Sequence, residues 1–324
     1  SRNVPLPSKP MPIATRRSPL ALVQARDVQA RLARLHGVED EMRDTVFPIL
    51  GLLSTGDQIQ DRALIEAGGK GLFTKEIDEA LLERRAAFAV HSMKDVQTEL
   101  PDDIELGAIL EREDARDMLL ARGGETRLAD LPQGVVIGTA SLRRQAQALY
   151  QRPDLSVVVL RGNVDTRLGR LASGEIYATF LARAGLNRLG RKEAQAEPLA
   201  LSEMLPAAAQ GAVGVAIRSD DERARELLIP LNHRETELTT LAERAFLARL
   251  DGSCRTPIAA HVNIESMDFT GEVLTPDGQV RWRKQMRFDM KTATRTSAIA
   301  AGQSLGQAVR DAAGDQLAAA LANA

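Results

Sequence analysis

Short apolar runs alternate with stretches in which apolar residues return every three to four positions, and the alternation persists through the first two thirds of the chain. Runs of strand length fall at residues 46–50, 88–90, 135–137, 157–160 and 211–216. Helix-period segments follow Ser18-Pro19, Thr74, Ser141 and Asn163, each introduced by a charged turn. Strand, charged turn and helix in repeated order predict α/β units built on parallel sheets.

The last third has another rhythm. Leu238, Leu241, Ala245 and Ala248 recur at helical spacing and predict a helix that stops at Asp251-Gly252. Apolar alternation resumes at 258–264, and residues 269–274 and 279–288 read as a hairpin turning through Pro276-Asp277-Gly278. An alanine-rich helix from about Ser297 closes the chain. The pattern predicts a small α+β domain appended to a larger α/β body, without internal repeats. Residues 1–12 carry four prolines and little apolar content, and read as a disordered tail.

Composition narrows this picture. The 324 residues suffice for two or three domains, and 44% hydrophobic with 27% charged residues is the balance of a soluble globular protein. A net charge of -2 argues against a general nucleic-acid binder, so any basic surface is local. Aromatics at 3% are too sparse for base-stacking platforms. No apolar run approaches the roughly 18 residues of a membrane span, and no signal-peptide pattern opens the chain, so a cytoplasmic protein without membrane or nucleic-acid partners is expected. The four histidines are scattered without ligand spacing, and no metal site is expected.

Three turns carry arginines where a strand gives way to a helix. Gly138-Thr139-Ala140-Ser141-Leu142-Arg143-Arg144 offers small residues, a helix N-terminus and two guanidiniums, a combination suited to oxyanions. The alternative, solvated arginines on a first helical turn, sets cations against the helix dipole. Arg161-Gly162-Asn163-Val164-Asp165-Thr166-Arg167 and Ala14-Thr15-Arg16-Arg17-Ser18-Pro19 repeat the theme. Together they imply a ligand with several carboxylates or phosphates. A nucleotide is a poor fit: Gly69-Lys70 lacks the preceding glycine of a phosphate loop, since Leu64 stands there, and no Ser or Thr follows.

His91-Ser92-Met93-Lys94-Asp95-Val96 follows a strand, which puts Lys94 and Asp95 at a carboxyl-end turn where open α/β sheets bind ligands. A carboxylate there can stabilise a cationic intermediate or relay a proton, although a surface Lys–Asp pair has the same appearance. Cys254 is the only cysteine and lies in the polar turn Asp251-Gly252-Ser253-Cys254-Arg255. It can close no intramolecular disulfide, which leaves an attachment point or nucleophile, or a small residue packed under a loop.

Taken together these segments resemble the porphobilinogen deaminase, or hydroxymethylbilane synthase, family. The resemblance runs from about Ile13 to Ala260 through the three arginine turns, Gly71-Leu72-Phe73-Thr74-Lys75-Glu76, His91 to Asp95, Ala184-Gly185-Leu186-Asn187-Arg188, Ala209-Gln210-Gly211 and Asp251 to Cys254. It implies an enzyme that condenses four porphobilinogen molecules into hydroxymethylbilane with release of ammonia, in porphyrin biosynthesis. It also implies a dipyrromethane cofactor joined by a thioether to Cys254, and a monomer. The implied fold is two periplasmic-binding-protein-like α/β domains, residues 12–110 with 206–230 and residues 111–205, and an α+β domain at 231–324. Carried over by position, Asp95 is the catalytic carboxylate and also a cofactor contact. Lys94, Ser141, Arg143, Arg144 and Arg161 are cofactor contacts; Arg16, Ser18, Arg167, Arg188, Gln210 and Phe73 are substrate contacts. Ala140, Gln97 and Thr55 depart from the family pattern without touching Asp95 or Cys254. The segment from Thr55 to Gly71, polar and glycine-rich, reads as a lid. The competing expectation is a cytoplasmic module that binds a polycarboxylate without reacting.

Overall fold

The computed structural model describes residues 8–58, 71–250 and 256–322. Among these run twelve strands: β1 (Ile13–Arg16), β2 (Ile49–Leu52), β3 (Phe88–Ser92), β4 (Ile104–Ile109), β5 (Asp117–Ala121), β6 (Val136–Gly138), β7 (Ser156–Val158), β8 (Ala178–Ala182), β9 (Val213–Arg218), β10 (Ile258–Asn263), β11 (Asp268–Leu274) and β12 (Arg281–Arg287). The described residues divide into two compact units, one of residues 8–58, 71–113 and 212–237, the other of 114–211, 238–250 and 256–322.

The first unit is a five-stranded sheet in the order β2-β1-β3-β9-β4. β2, β1 and β3 are parallel, and β9 runs antiparallel to both β3 and β4. One face is covered by the helix Pro19–Leu35, which buries Ala25, Val28 and Leu32 at helical spacing. Ser18 caps it by accepting the Ala21 N–H at 3.4 Å, and Pro19 loses nothing at a position whose N–H has no helical partner. Phe47 and Phe88 meet in this core at 6.2 Å, and each such buried side chain contributes about 1.5–3 kcal/mol. The opposite face packs Ile77 and Leu81 of the helix Lys75–Leu82 against Ala89 and Ala216.

The second unit holds two sheets. In β5-β8-β6-β7 the strands β6, β7 and β8 are parallel and β5 is antiparallel to β8, around Leu119, Ile137 and Phe180. β10, β11 and β12 form an antiparallel meander covered by the helices Arg234–Arg249 and Arg295–Ala313. Phe246, Phe269 and Phe288 line its core edge to face, with centroids 6.4 and 6.2 Å apart. The turn of the β11–β12 hairpin rests on the helix Leu142–Gln151: Gln145 Nε2 donates to the Pro276 carbonyl at 3.2 Å, and Gly278 faces the backbone of Ala146 and Tyr150.

Several expectations need correction. Both mixed sheets contain antiparallel strands, because an apolar run records burial and carries no information about the direction in which the chain re-enters a sheet. β1, β4, β5 and β8 are absent from the apolar runs of the sequence, β1 because Ala14 to Arg16 read as part of a turn and β5 because it opens on the charged Asp117. β2 starts at Ile49 rather than residue 46, since Pro48 has no N–H to give a ladder. The proline-rich tail is shorter than expected: Met11 is buried and its N–H donates to the Val46 carbonyl at 2.8 Å. The helix expected to stop at Asp251-Gly252 runs to Arg249, and 251–255 lie outside the described residues. No helix among the described residues is long and apolar enough to cross a membrane.

Candidate active site

Parallel β2, β1 and β3 deliver three charged residues to one edge of their sheet. Asp57 follows β2, Arg16 ends β1, and Asp95 closes the turn Met93–Asp95 after β3. Arg16 Nε donates to Asp57 Oδ2 at 3.0 Å, its Nη2 pairs with Oδ1, and Ser54 Oγ adds a hydrogen bond to Oδ2 at 2.6 Å. The other side of Arg16 faces Asp95, with Nη1 3.8 Å from Oδ2. The half-buried Phe73 ring lies 4.2 Å from the guanidinium carbon, a cation–π contact that fixes its plane. Burial pushes the Asp57 carboxyl up, but the bonds from Arg16 and Ser54 outweigh it and hold the group below its ordinary value. Burial likewise disfavours the charged Arg16, and Asp57 and Asp95 more than compensate. Ser18 is the cap described above, and Lys94 is exposed.

In the second unit the ends of β6, β7 and β8 lead into helices bearing arginine. Ser141 caps the helix Leu142–Gln151 by accepting the Arg144 N–H at 3.2 Å, and Asn163 caps Val164–Ala172 by accepting that of Thr166 at 2.9 Å. Arg143 and Arg144 turn inward rather than toward the helix terminus. Both meet the fully buried Asp117: Arg143 Nη1 donates to Oδ2 and Arg144 Nη2 to Oδ1, each at 2.8 Å. Gln210, also fully buried, donates from Nε2 to Asp117 Oδ1 at 3.0 Å and accepts from Arg143 Nη2 at 3.2 Å. The oxyanion-cradle expectation is thus modified, because an internal carboxylate already engages one edge of each guanidinium.

Further arginines of the described residues lie near this pair. Arg167 donates to the Gly162 carbonyl at 2.9 Å, and burial, with the like charges of Arg144 and Arg161, lowers its pKa to about 10. Burial foremost also lowers the pKa of Arg144, with Arg143 adding repulsion against the attraction of Asp117. Arg144 Nε is enclosed with no hydrogen-bond partner among the described residues. Arg188 donates to the Gly211 carbonyl at 2.9 Å, bracing the turn after Gln210. Ala209 in that turn has a positive φ of 64°, and its N–H is held by the buried Glu243 at 2.7 Å.

The sequence reading missed two functional candidates, Asp57 and Asp117. Asp57 had a usable signal, since it follows a strand and a Ser-Thr-Gly turn. Asp117 had none, because its partners lie 26 to 93 positions away. Cys254 and most of the segment expected to form a lid, residues 59–70, lie outside the described residues.

Guanidiniums gathered near one another at strand ends, two of them sharing one carboxylate, mark the second unit of this α/β protein. Family comparison makes this specific: residues 11–226 match the porphobilinogen deaminase dipyrromethane cofactor binding domain, and residues 237–311 match the porphobilinogen deaminase C-terminal domain. The chain belongs to the porphobilinogen deaminase family. Porphobilinogen deaminases of Nitrobacter winogradskyi and Nitrobacter hamburgensis are each 48% identical over 306 residues, covering 94% of this chain and 94% of theirs. Among solved structures, the second substrate-binding domain of Lactococcus lactis GlnP in its open conformation aligns with a TM-score of 0.42 at 12% identity, covering 69% of this chain and 88% of that one.

Proposed function

We propose that the chain is a hydroxymethylbilane synthase that joins four porphobilinogen molecules, with Asp95 as catalytic carboxylate and a dipyrromethane held covalently by Cys254. The activity is that of the family, and membership stands against a module that only binds. The structural observation that carries the residue roles is the arginine cluster of the second unit. Burial, with the like charges of Arg144 and Arg161, lowers the Arg167 pKa to about 10; carboxylates would offset both effects, and the pyrroles of cofactor and substrate carry acetate and propionate groups. The residues therefore fit the cofactor.

Arg143, Arg144 and Arg161, with Ser141 and Lys94, are assigned to the cofactor carboxylates. Arg16, Ser18, Arg167, Arg188, Gln210 and Phe73 are assigned to the incoming substrate. When bound, the cofactor supplies a pyrrole carbon as the nucleophile on which the chain is built. Asp95 accepts hydrogen bonds from pyrrole N–H groups, and its negative charge offsets the cation left on the substrate as ammonia departs. Arg16, clamped by Asp57 and stacked on Phe73, holds its cation 3.8 Å from Asp95 and offers its remaining edge to a substrate carboxylate.

The separate sheets and cores of the second unit support a further division into domains at 111–205 and 231–324, with 12–110 and 206–230 forming the remaining one. The reading includes a cytoplasmic monomer. Light scattering of the purified protein tests the oligomeric state, and cell fractionation tests the location.

Intact mass spectrometry tests the central assignment. Wild-type protein should exceed its sequence mass by one dipyrromethane and give a pyrrole colour with Ehrlich's reagent; Cys254→Ser should do neither, since a hydroxyl is a far weaker nucleophile than a partly ionised thiol. Active wild-type protein at its bare sequence mass would overturn it.

A further inference from the structure

We propose that Asp117 is the positioning residue of the anion site: a built-in carboxylate that fixes the spread of Arg143 and Arg144, so that the site reads the placement of ligand carboxylates rather than attracting any polyanion. The proposal rests on the functional reading above.

The topology explains how Asp117 comes to stand there. β5 is antiparallel to β8, so its first residue, Asp117, pairs with the last residue of β8, Ala182. The edge where β6 and β8 send their chains into arginine-bearing helices is therefore also where β5 begins. Sequence distance hides this meeting, and the antiparallel edge strand makes it.

The bonding is a closed ring. Arg143 Nη1 donates to Asp117 Oδ2, Gln210 Nε2 donates to Asp117 Oδ1, and Gln210 Oε1 accepts from Arg143 Nη2. Arg144 joins through Oδ1 at 2.8 Å. Two of its three members are tied to the backbone as well: Arg143 Nη1 to the Leu205 carbonyl at 2.8 Å, Gln210 Nε2 to the Ala115 carbonyl at 2.8 Å. Leu205 is itself gripped by Gln147, one turn beyond Arg143 on the same helix, through bonds of 2.7 and 2.9 Å. A carboxylate that is fully buried cannot swing away when ligand enters. Each of its oxygens takes a different arginine, and two guanidiniums that would otherwise repel and splay are held at one separation.

Charge and position make opposite predictions on removing this carboxylate, which gives the test. Asp117→Asn adds one net positive charge to the site. If the arginines act only as a cationic patch, the variant should hold anionic ligands more tightly, with a lower KM and a steeper dependence on salt. If Asp117 positions them, the added charge cannot help. An amide presents one acceptor and one NH₂ group, so an arginine N–H must face another donor and its guanidinium is displaced. A misplacement of about 1 Å costs on the order of 10²-fold in rate.

The experiment compares wild type, Asp117→Asn and Gln210→Ala, purified as they accumulate in cells. Three readouts are taken: the fraction of chains carrying the dipyrromethane mass, kcat and KM across a salt series, and NMR of the Arg143 and Arg144 Nε–Hε groups. In Asp117→Asn we expect a several-fold lower loaded fraction, kcat/KM of the loaded fraction down about 10²-fold, no gain in salt sensitivity, and loss of the restricted guanidinium signals. Gln210→Ala, which opens the ring but keeps the carboxylate, should fall between. A fully loaded Asp117→Asn with equal or lower KM overturns the proposal. Should that variant fail to fold, wild-type loading, kinetics and guanidinium signals in Gln210→Ala overturn it instead. A wild type that carries no cofactor and makes no product would instead sink the functional reading, while the guanidinium signals would still test the positioning.

Discussion

Arg16 Nη1 stands 3.8 Å from Asp95 Oδ2 because β1 and β3 are parallel neighbours that end at the same edge of one sheet. Neither residue could find the other from a loop alone. The strands set their backbones side by side, and Asp57 with Phe73 then removes the freedom of the long arginine side chain. The carboxylate assigned to catalysis thus has a cation fixed beside it before substrate arrives.

Asp95→Asn should fold and keep its cofactor while losing most turnover. The substitution preserves size and removes the charge that offsets the cation left on the substrate as ammonia departs, an electrostatic contact whose loss costs about 10² to 10³ in kcat. Steady-state kinetics with intact mass on the same sample checks it; near-normal turnover in loaded protein would refute the role.

Asp57→Asn should raise KM more than it lowers kcat. Arg16 would keep one hydrogen bond and lose the two-point clamp, so its guanidinium would wander over the Phe73 face. About tenfold in KM is the scale of one charge-assisted bond weakened. An unchanged KM would mean that Arg16 needs no clamp.

Acid should weaken the second unit through Asp114. Hydrogen bonds and charge from Arg116, with a further bond from Arg183, outweigh burial and lower this carboxyl from 3.8 to about 2. Its folded pKa lies below its unfolded one, so its stabilising contribution is present above the unfolded value and is lost as pH falls from about 4 to about 2. Asp114→Asn should therefore flatten the decline of the unfolding midpoint in that window. Parallel curves for the two proteins would show that the pair does not couple to folding.

Gly278→Ala should destabilise the second unit. A β-carbon there would stand 2.5 Å from the Tyr150 backbone nitrogen and 2.6 Å from the Ala146 carbonyl oxygen, and φ at this position is +73°. The hairpin turn would have to lift from the helix that carries Arg143 and Arg144. A cost of roughly 1–3 kcal/mol in denaturant unfolding is expected. A wild-type midpoint would show the turn can shift freely.

What the sequence determined by itself was local. Ser18, Ser141 and Asn163 announce their helices because a short polar side chain must satisfy the N–H groups that a helix leaves open. The arginines and Asp95 were legible because charged turns recur after apolar runs at the start of helices, and the family motifs keep them in order. Strand direction was not legible, since an apolar run is equally buried whichever way it points. With direction undecided, so was the meeting of Asp117 with Arg143, Arg144 and Gln210 across 26 to 93 positions. Only the packed tertiary structure brings those partners together, because burying a carboxylate without them would cost far more than any local preference could repay.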